Sequence, residues 1–204
     1  RQQDPAQALE RLVHRDENLK EAARAIVAKR KKPQGRYLRG LFSGGTFCAE
    51  AQVVLDGILR HVYSNAPLGD TQKLKSAWKP EKNAVIDLGE DEFTVGRAHP
   101  MIDFTLRNKM ILEEAANPET SVILLDVVLG YGAHLDPAAE LVPVIKQAVK
   151  KVFVVAGVTG TAGDPQGRDR VVAALQDAGA HVQLTNAAAC KLAGFIAAEV
   201  VRKN

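Results

Sequence analysis

A short glycine-rich turn, Ser43-Gly44-Gly45-Thr46, follows the apolar run 37–42 and precedes a helical pattern. Such a turn can bind an anion, because glycines let the backbone approach a ligand and the first N–H groups of a helix lack intrahelical acceptors. The hydroxyls of Ser43 and Thr46 would add donors. Alternatively, the turn is only a corner, in which Thr46 caps the helix. Its spacing matches neither a Rossmann fingerprint nor a P-loop, so the turn alone leaves both interpretations open.

A second glycine-rich segment, "GVTGTAGDPQG", spans residues 157–167. Its four glycines exceed what a simple strand-to-helix turn requires, and a phosphate or pyrophosphate could lie across their N–H groups. The segment contains no lysine, so an anion would depend on the backbone and on Arg168 or Arg170. A flexible surface loop is the alternative. The residues of this segment that we predict to bind phosphate or substrate are Thr159, Gly160, Thr161 and Gly163.

Two histidines are candidate catalytic residues. His99 lies in "GRAHPMID" and His134 in "GYGAHLDP", and either imidazole could serve as a general base, a nucleophile or a proton shuttle. Three aspartates could orient them: Asp103, Asp126 and Asp136. We predict that Asp126 acts with the two histidines in catalysis, and that Gly130 joins the residues that bind phosphate or substrate.

The run "DLGEDE", residues 87–92, could attract magnesium, but an exposed acidic loop is the favoured interpretation. No metal site is predicted, since the sequence has no paired Cys/His spacing. Cys48 and Cys190 lie far apart on apolar patterns, which is typical of small buried hydrophobes in a reducing compartment.

The charge and hydropathy of the chain exclude two classes of partner. The sequence has 27 Lys and Arg against 24 Asp and Glu, and its net charge of +3 does not indicate a nucleic-acid partner. The basic run 29–32 could touch phosphates but fits a solvated helix C-terminus better. No apolar stretch approaches the ~20 residues that span a bilayer, and no signal peptide opens the chain, so we expect a cytoplasmic protein without a membrane partner. Because the sequence starts with Arg1, we expect it to be part of a longer protein.

The elements that would position these residues alternate along the chain. Helical spacing over residues 5–32, ended by Pro33 and Gly35, predicts a helical arm or linker, 1–35, before a domain at 36–204. Strands are predicted at 37–42, 84–88, 121–130, 152–158 and 181–184, and helices at 46–61, 103–116, 137–149, 168–178 and 186–202, the last capped by Asn186. Residues 63–83 and 89–100 are predicted to be irregular.

This alternation predicts an α/β fold, a flavodoxin-like doubly wound parallel sheet of five strands in the order 2-1-3-4-5. In such sheets, ligands bind beyond the carboxyl ends of the strands, where both glycine-rich segments and both candidate histidines fall. Three histidines lie away from these ends and are interpreted as structural: His14, His61 and His181.

Four segments together resemble FdrA-type proteins, relatives of the succinyl-CoA synthetase α subunit: "RGLFSGGTFCAEA", "DLGEDEFTVGRAHPMID", "ILLDVVLGYGAHLDPAAEL" and "DPQG". The resemblance covers residues 36–203. It implies an acyl-CoA synthetase-like protein whose CoA-binding Rossmann-like domain precedes this sequence. CoA or a nucleotide would then bind only with that domain or a partner subunit. Related subunits perform carbamoyl transfer between oxamate and phosphate in purine-nitrogen breakdown. Homo-oligomerisation or association with other subunits of one enzyme is also implied.

The sequence departs from the synthetases at their phosphorylated histidine, which lies in a "GHAGA" segment after the fourth strand. Residues 160–167 contain no histidine, so a phosphohistidine ligase mechanism is not expected. The glutamate of the synthetases' "GEIGG" turn is also unmatched, and Asp126 lies one residue out of step. We therefore expect a ligase-like domain that binds phosphate or a carbamoyl or acyl phosphate within a larger transfer enzyme. The alternative is a structural domain that makes subunit contacts, with chemistry supplied elsewhere.

Overall fold

The computed structural model describes residues 5–204 and the side chains of residues 13–204. The strands are β1 (Tyr37–Phe42), β2 (Val62–Ser64), β3 (Gln72–Lys73), β4 (Asn83–Asp87), β5 (Thr120–Val128), β6 (Phe153–Thr159) and β7 (His181–Gln183). The helices are α1 (Pro5–Ala28), α2 (Gly45–Leu59), α3 (Asp91–Thr94), α4 (Thr105–Ala116), α5 (Pro137–Ala148), α6 (Arg168–Asp177) and α7 (Asn186–Lys203).

The strands form one parallel sheet in the order β3-β2-β4-β1-β5-β6-β7, which confirms the α/β class. The five predicted strands keep their relative order within it, but the count of five was wrong. The segment 63–83, predicted to be irregular, contributes β3 and most of β2, which extend the sheet beyond β4. Strands of two or three residues are too short to show an alternating pattern. They form here because their backbones pair in register, as Tyr63 does with Ala84 and with Gln72.

The sheet is covered on both faces. Every residue of β5 except Val128 is buried, as the continuous apolar run predicts for a central parallel strand. One core lies between the sheet and helices α3 to α6, and the other between the sheet and helices α1, α2 and α7. Cys48 and Cys190 are unpaired thiols in the second core, which confirms their interpretation as small hydrophobes.

The N-terminal helix packs against the domain. Ala23 and Val27 of α1 are 1% exposed in the core shared with α7, and Lys191 of α7 forms an ion pair with Asp16, Nζ to Oδ1 2.7 Å. In the basic run, Arg30 donates to the carbonyls of Val149, Lys151 and Val152 beyond α5, whereas its three lysine neighbours are exposed.

Two details of the predicted helices were wrong. Thr185 caps α7, its Oγ accepting from Ala188 N at 3.2 Å, while the predicted cap Asn186 is buried and donates to Phe47 O and Glu50 Oε2. The loop 89–100 contains the short helix α3, whose buried Phe93 packs into the first core. Among the described residues, no helix combines the length and apolarity that crossing a membrane requires.

Candidate functional site

The helix α2, which follows the turn after β1, has no side-chain cap at its N-terminus among the described residues. Gly44 is the N-cap of α2, with φ −115° and ψ 118°, and it has no side chain to offer a capping bond. Thr46 lies inside the helix and is exposed, so the alternative interpretation, in which Thr46 caps α2, was wrong. A glycine fits at Gly44 because a Cβ there would lie 3.2 Å from the Phe47 ring and 3.3 Å from Asp126 Oδ2.

Asp126 on β5 is the anion that this turn already holds. Its carboxylate accepts from Ser43 N at 2.8 Å, from Ser43 Oγ at 2.9 Å and from Gly44 N at 2.9 Å. Asp126 is 2% exposed and Ser43 is 1% exposed. The side chain of the neighbouring strand therefore fixes the shape of the turn, as the register of parallel β1 and β5 allows.

Arg107 of α4 forms a buried ion pair with Asp126 and neutralises its charge. Its Nη1 donates to Asp126 Oδ1 at 3.0 Å and to Asp126 O at 2.8 Å, and the guanidinium lies 4.4 Å from the centre of the Phe104 ring. Burial lowers the pKa of Arg107, while the Asp126 carboxylate acts in the opposite direction. Arg107 was missed in the sequence because an arginine on a helical pattern gives no sign that it faces a sheet.

The first turn of α2 still has N–H donors that no group of the described residues accepts from. The amides of Gly45, Thr46 and Phe47 have no acceptor among the described residues, as the geometry of a helix start requires. Gly45 and Thr46 are exposed. An anion at this point would meet these donors and the positive end of the helix dipole.

Asp87 and His99 lie beside that helix start. A Cβ added to Gly45 would lie 2.8 Å from Asp87 Oδ2, and a Cβ added to Gly89 would lie 3.0 Å from Asp87 Oδ1 and 3.2 Å from His99 Nε2. Asp87 Oδ1 accepts from Gly89 N at 2.8 Å. Because Met101 N donates to His99 Nδ1 at 3.2 Å, the neutral imidazole carries its proton on Nε2, on the side of Asp87.

The carboxyl group of Asp87 titrates above its ordinary range. Burial raises the pKa of Asp87, and the nearby Asp126 carboxylate adds to the rise, whereas the bond from Gly89 and the His99 ring oppose it. Asp87 was missed as a site residue because it was counted with the acidic run 87–92. Its position as the last residue of β4, with β1 as neighbour, was the available signal.

The loops of the two candidate histidines are joined through Met101. His134 N donates to Met101 O at 2.9 Å, and His134 Nδ1 accepts from Asp136 N at 3.1 Å. Gln166, which is 1% exposed, donates to Gly130 O at 2.7 Å and to His134 O at 3.1 Å and accepts from Gly130 N. Gln166 was also missed, and it connects the loop after β6 to the loop after β5.

The loop 157–167 owes much of its glycine content to packing. A Cβ at Gly160 would lie 2.7 Å from Leu129 Cβ, and one at Gly157 would lie 3.3 Å from Ala189 Cβ. Gly167 has φ +68°, which favours glycine. The N–H of Thr161 donates to the Asp164 carboxylate, so this loop too holds an internal anion. Thr161 and Gly163 are exposed, and Thr159 and Gly160 are half-buried.

The remaining predicted residues separate into two groups. The sheet brings together the turn 43–46, Asp126 and His99, and it joins Gly130 and His134 to the loop 157–167. Strand β5 lies between the two glycine-rich loops. His61 and His181 lie at the starts of β2 and β7, away from these loops. Within residues 13–204, no three side chains of His, Cys, Asp or Glu converge to hold a metal ion.

Two comparisons relate this arrangement to known proteins. The model of the CoA-ligase family matches residues 41–196, which includes both glycine-rich loops. The protein YahF of Escherichia coli strain K12, which is uncharacterized, is 38% identical to this chain over 162 residues. That match covers 76% of this chain and 32% of YahF, so the chain spans about a third of the length of this relative.

Proposed function

The chain belongs to the CoA-ligase family, and from that premise we propose that it binds phosphate or a small carbamoyl or acyl phosphate at the start of α2. The ligand would be handled within a larger FdrA-type enzyme that transfers carbamoyl or acyl groups. One observation carries the proposal: the N–H groups of Gly45, Thr46 and Phe47 have no acceptor among the described residues, although the same turn binds the Asp126 carboxylate through Ser43 and Gly44.

The charges at the site allow a second anion to bind at the N–H groups that Asp126 leaves free. Arg107 compensates Asp126, so the buried pair is neutral and adds no net repulsion toward a bound anion. Asp87 is then the carboxyl group that an anion would meet. Burial already raises the pKa of Asp87, and a bound anion would raise it further, toward the protonated form whose O–H can donate to a phosphate oxygen. We therefore expect phosphate binding to take up a proton at Asp87.

The reaction that suits these groups is acyl or carbamoyl transfer to or from phosphate. A phosphate oxygen attacks the carbonyl carbon, and the bond from that carbon to the leaving group breaks. The leaving atom takes the proton that the attacking hydrogen phosphate gives up, and His99 Nε2–H donates a hydrogen bond to that atom. The free N–H groups of α2 would stabilise the negative charge on the phosphoryl oxygens. No histidine lies in the loop 160–167, so this route forms no phosphohistidine there.

A larger assembly is part of the proposal. Three apolar side chains in the loops that hold His99 and His134 are exposed, Tyr131 by 88%, Leu135 by 73% and Ile102 by 54%. Side chains of this kind at one edge favour cover by another domain or subunit. That domain or subunit would supply any CoA or nucleotide site.

The test is thermal unfolding of this chain with phosphate, carbamoyl phosphate, ATP or CoA. A ligand at ~100 times its Kd adds about 2.7 kcal/mol, which raises the Tm of a chain of this size by about 5 °C or more. We expect a rise with phosphate or carbamoyl phosphate and none with CoA. Gly45→Ala places a methyl group 2.8 Å from Asp87 Oδ2 and should abolish the rise. Gly57→Ala is the matched control, since a Cβ at Gly57 of the same helix meets nothing within 4 Å.

A structural role is the second candidate, favoured by one observation. The carboxylates of Asp126 and Asp164 already occupy backbone donors of both glycine-rich loops. If no anion shifts the Tm, and Gly45→Ala behaves like Gly57→Ala, the loops serve the fold and the chemistry belongs to another part of the protein.

A further inference from the structure

A cavity beside the His99 loop is distinct from the start of α2, since no residue of α2 lines it. Its volume is about 560 Å³, and its walls come from the segment that holds Trp78, from α3 and from the beginning of α4. Ala98 and Pro100, the neighbours of His99, form part of one wall. This volume is within the range of ~300–1,000 Å³ that is typical of small-molecule sites.

The floor and one wall of the cavity are apolar. Leu88 and Phe93 are 0% and 2% exposed. Trp78 packs on Phe93 with ring centroids 4.8 Å apart at an angle of 56°, yet Trp78 remains 42% exposed. A partly exposed tryptophan beside a buried aromatic ring offers a flat surface on which a conjugated ligand can stack.

The mouth of the cavity carries an excess of positive charge. Arg97 and Lys109 both line it, and the Arg97 guanidinium lies 5.6 Å from the centre of the Trp78 ring. Arg97 has no carboxylate partner among the described residues. Lys109 is 3.8 Å from Glu113, but both side chains are more than half exposed, which makes this a weak pair.

Among the described side chains, 13–204, one carboxylate lines the cavity, and it already accepts a hydrogen bond. Asp103 Oδ1 accepts from Thr105 N at 2.8 Å at the beginning of α4, and hydrogen bonds from Thr105 hold the pKa of Asp103 below its usual range. Of the charged side chains described at this cavity, Arg97 and Lys109 are positive, and the carboxylate of Asp103 is hydrogen-bonded to the start of α4.

We propose that this cavity binds an organic anion with a flat conjugated body, whose ring stacks on Trp78 and whose negative group pairs with Arg97 and Lys109. The site is independent of phosphate binding at α2. Aromatic carboxylates and nucleoside monophosphates share this chemistry, and the experiment distinguishes them.

Trp78 makes the test direct, because it is the single tryptophan of the chain and reports from the wall of the cavity. Energy transfer from Trp78 is measured to two dyes, anilinonaphthalene sulfonate and N-phenylnaphthylamine, which differ in the negative sulfonate. We expect the anionic dye to bind about tenfold more tightly than the neutral one. Arg97→Gln/Lys109→Gln should weaken the anionic dye by about tenfold and leave the neutral dye unchanged. Arg24→Gln, an exposed charge on α1 across the sheet, is the control and should change neither.

Competition then identifies the anion. Displacement of the dye by benzoate but not by benzamide indicates a carboxylate ligand, and displacement by AMP but not by adenosine indicates a phosphate ligand. Equal affinity for the two dyes, an unaltered anionic dye in the double variant, or displacement by neither acid at millimolar concentration would overturn the proposal.

Discussion

Replacing Asp126 by Asn tests whether one buried carboxylate organises the turn at the candidate site. Asp126 accepts three hydrogen bonds from Ser43 and Gly44 and pairs with Arg107 at 3.0 Å. The exposed fractions of the Arg107 and Asp126 side chains are 1% and 3%. Asn keeps the shape of the side chain, but it removes the charge and sets an NH2 donor against donors of the turn.

The expected loss of stability is large. Breaking a buried pair by removing one partner costs about 3–5 kcal/mol, because the remaining charge is left uncompensated. The cost of the unsatisfied NH2 donor is included in this range, because it arises at the same site as the broken pair and the two costs are not additive. Asp136→Asn is the matched control. Asp136 pairs with Arg170 on the surface and caps α5, where Asn also serves, so its loss should stay below about 1 kcal/mol.

Urea unfolding followed by far-UV circular dichroism measures both variants. A double-mutant cycle with Arg107→Met isolates the pair, because methionine removes the charge and keeps apolar bulk in the core. Asp126→Asn/Arg107→Met should be far less unstable than the sum of the single variants. A cost for Asp126→Asn no larger than that for Asp136→Asn, or additive costs in the cycle, would refute the reasoning.

Three further predictions concern the core and the site. Gly194→Ala should lower the free energy of unfolding in urea by about 1–3 kcal/mol, because its Cβ would lie 3.0 Å from Leu55 Cδ2 of α2. Gly57→Ala should raise the free energy of unfolding by about 0.5–1 kcal/mol, because its Cβ meets nothing within 4 Å and alanine favours the helix. At pH values above the raised pKa of Asp87, Asp87→Asn should raise the Tm, because burial penalises the ionised carboxylate that Asn replaces. This gain should vanish as the pH falls toward ~4, where the carboxyl group becomes protonated. A gain in Tm that does not depend on pH would contradict the reasoning. Burial raises the pKa of both thiols, that of Cys48 to about 12. Neither Cys48 nor Cys190 should therefore react with a disulfide reagent at about pH 8 until the chain unfolds. Fast labelling of the native protein would show that the two thiols do not lie in the core.

Periodicity and punctuation were sufficient for the main elements of the fold. The run 121–130 is apolar except for Asp126, as is typical of a central strand of a sheet covered on both faces, and most of it forms β5. The helical spacing of residues 5–32 became α1. The two short strands β2 and β3 were not predictable in this way, because their stabilisation comes from pairing with β4 and not from their own residues.

The candidate site was predicted in part. Glycine and histidine motifs at strand ends indicated where to look, since parallel strands bring their carboxyl ends to one edge. The partners of those motifs could not be read in the same way. Asp126 was proposed as a catalytic residue, and the structure shows that it is 2% exposed, bound to the turn and paired with Arg107. Gln166 and Asp87 lie in the quoted segments "DPQG" and "DLGEDE", but neither segment indicated which groups these side chains contact.

The sequence by itself determined the alternation of strands and helices, the relative order of the five principal strands and the presence of glycine-rich turns at their ends. These follow from local propensity and from rules of chain connection that act on neighbouring elements. Only the tertiary structure decided which carboxylate each turn holds, which arginine neutralises it, and which N–H groups stay free. Those choices depend on the register between strands that are distant in the chain, and on burial, which sets the cost of every unpaired charge.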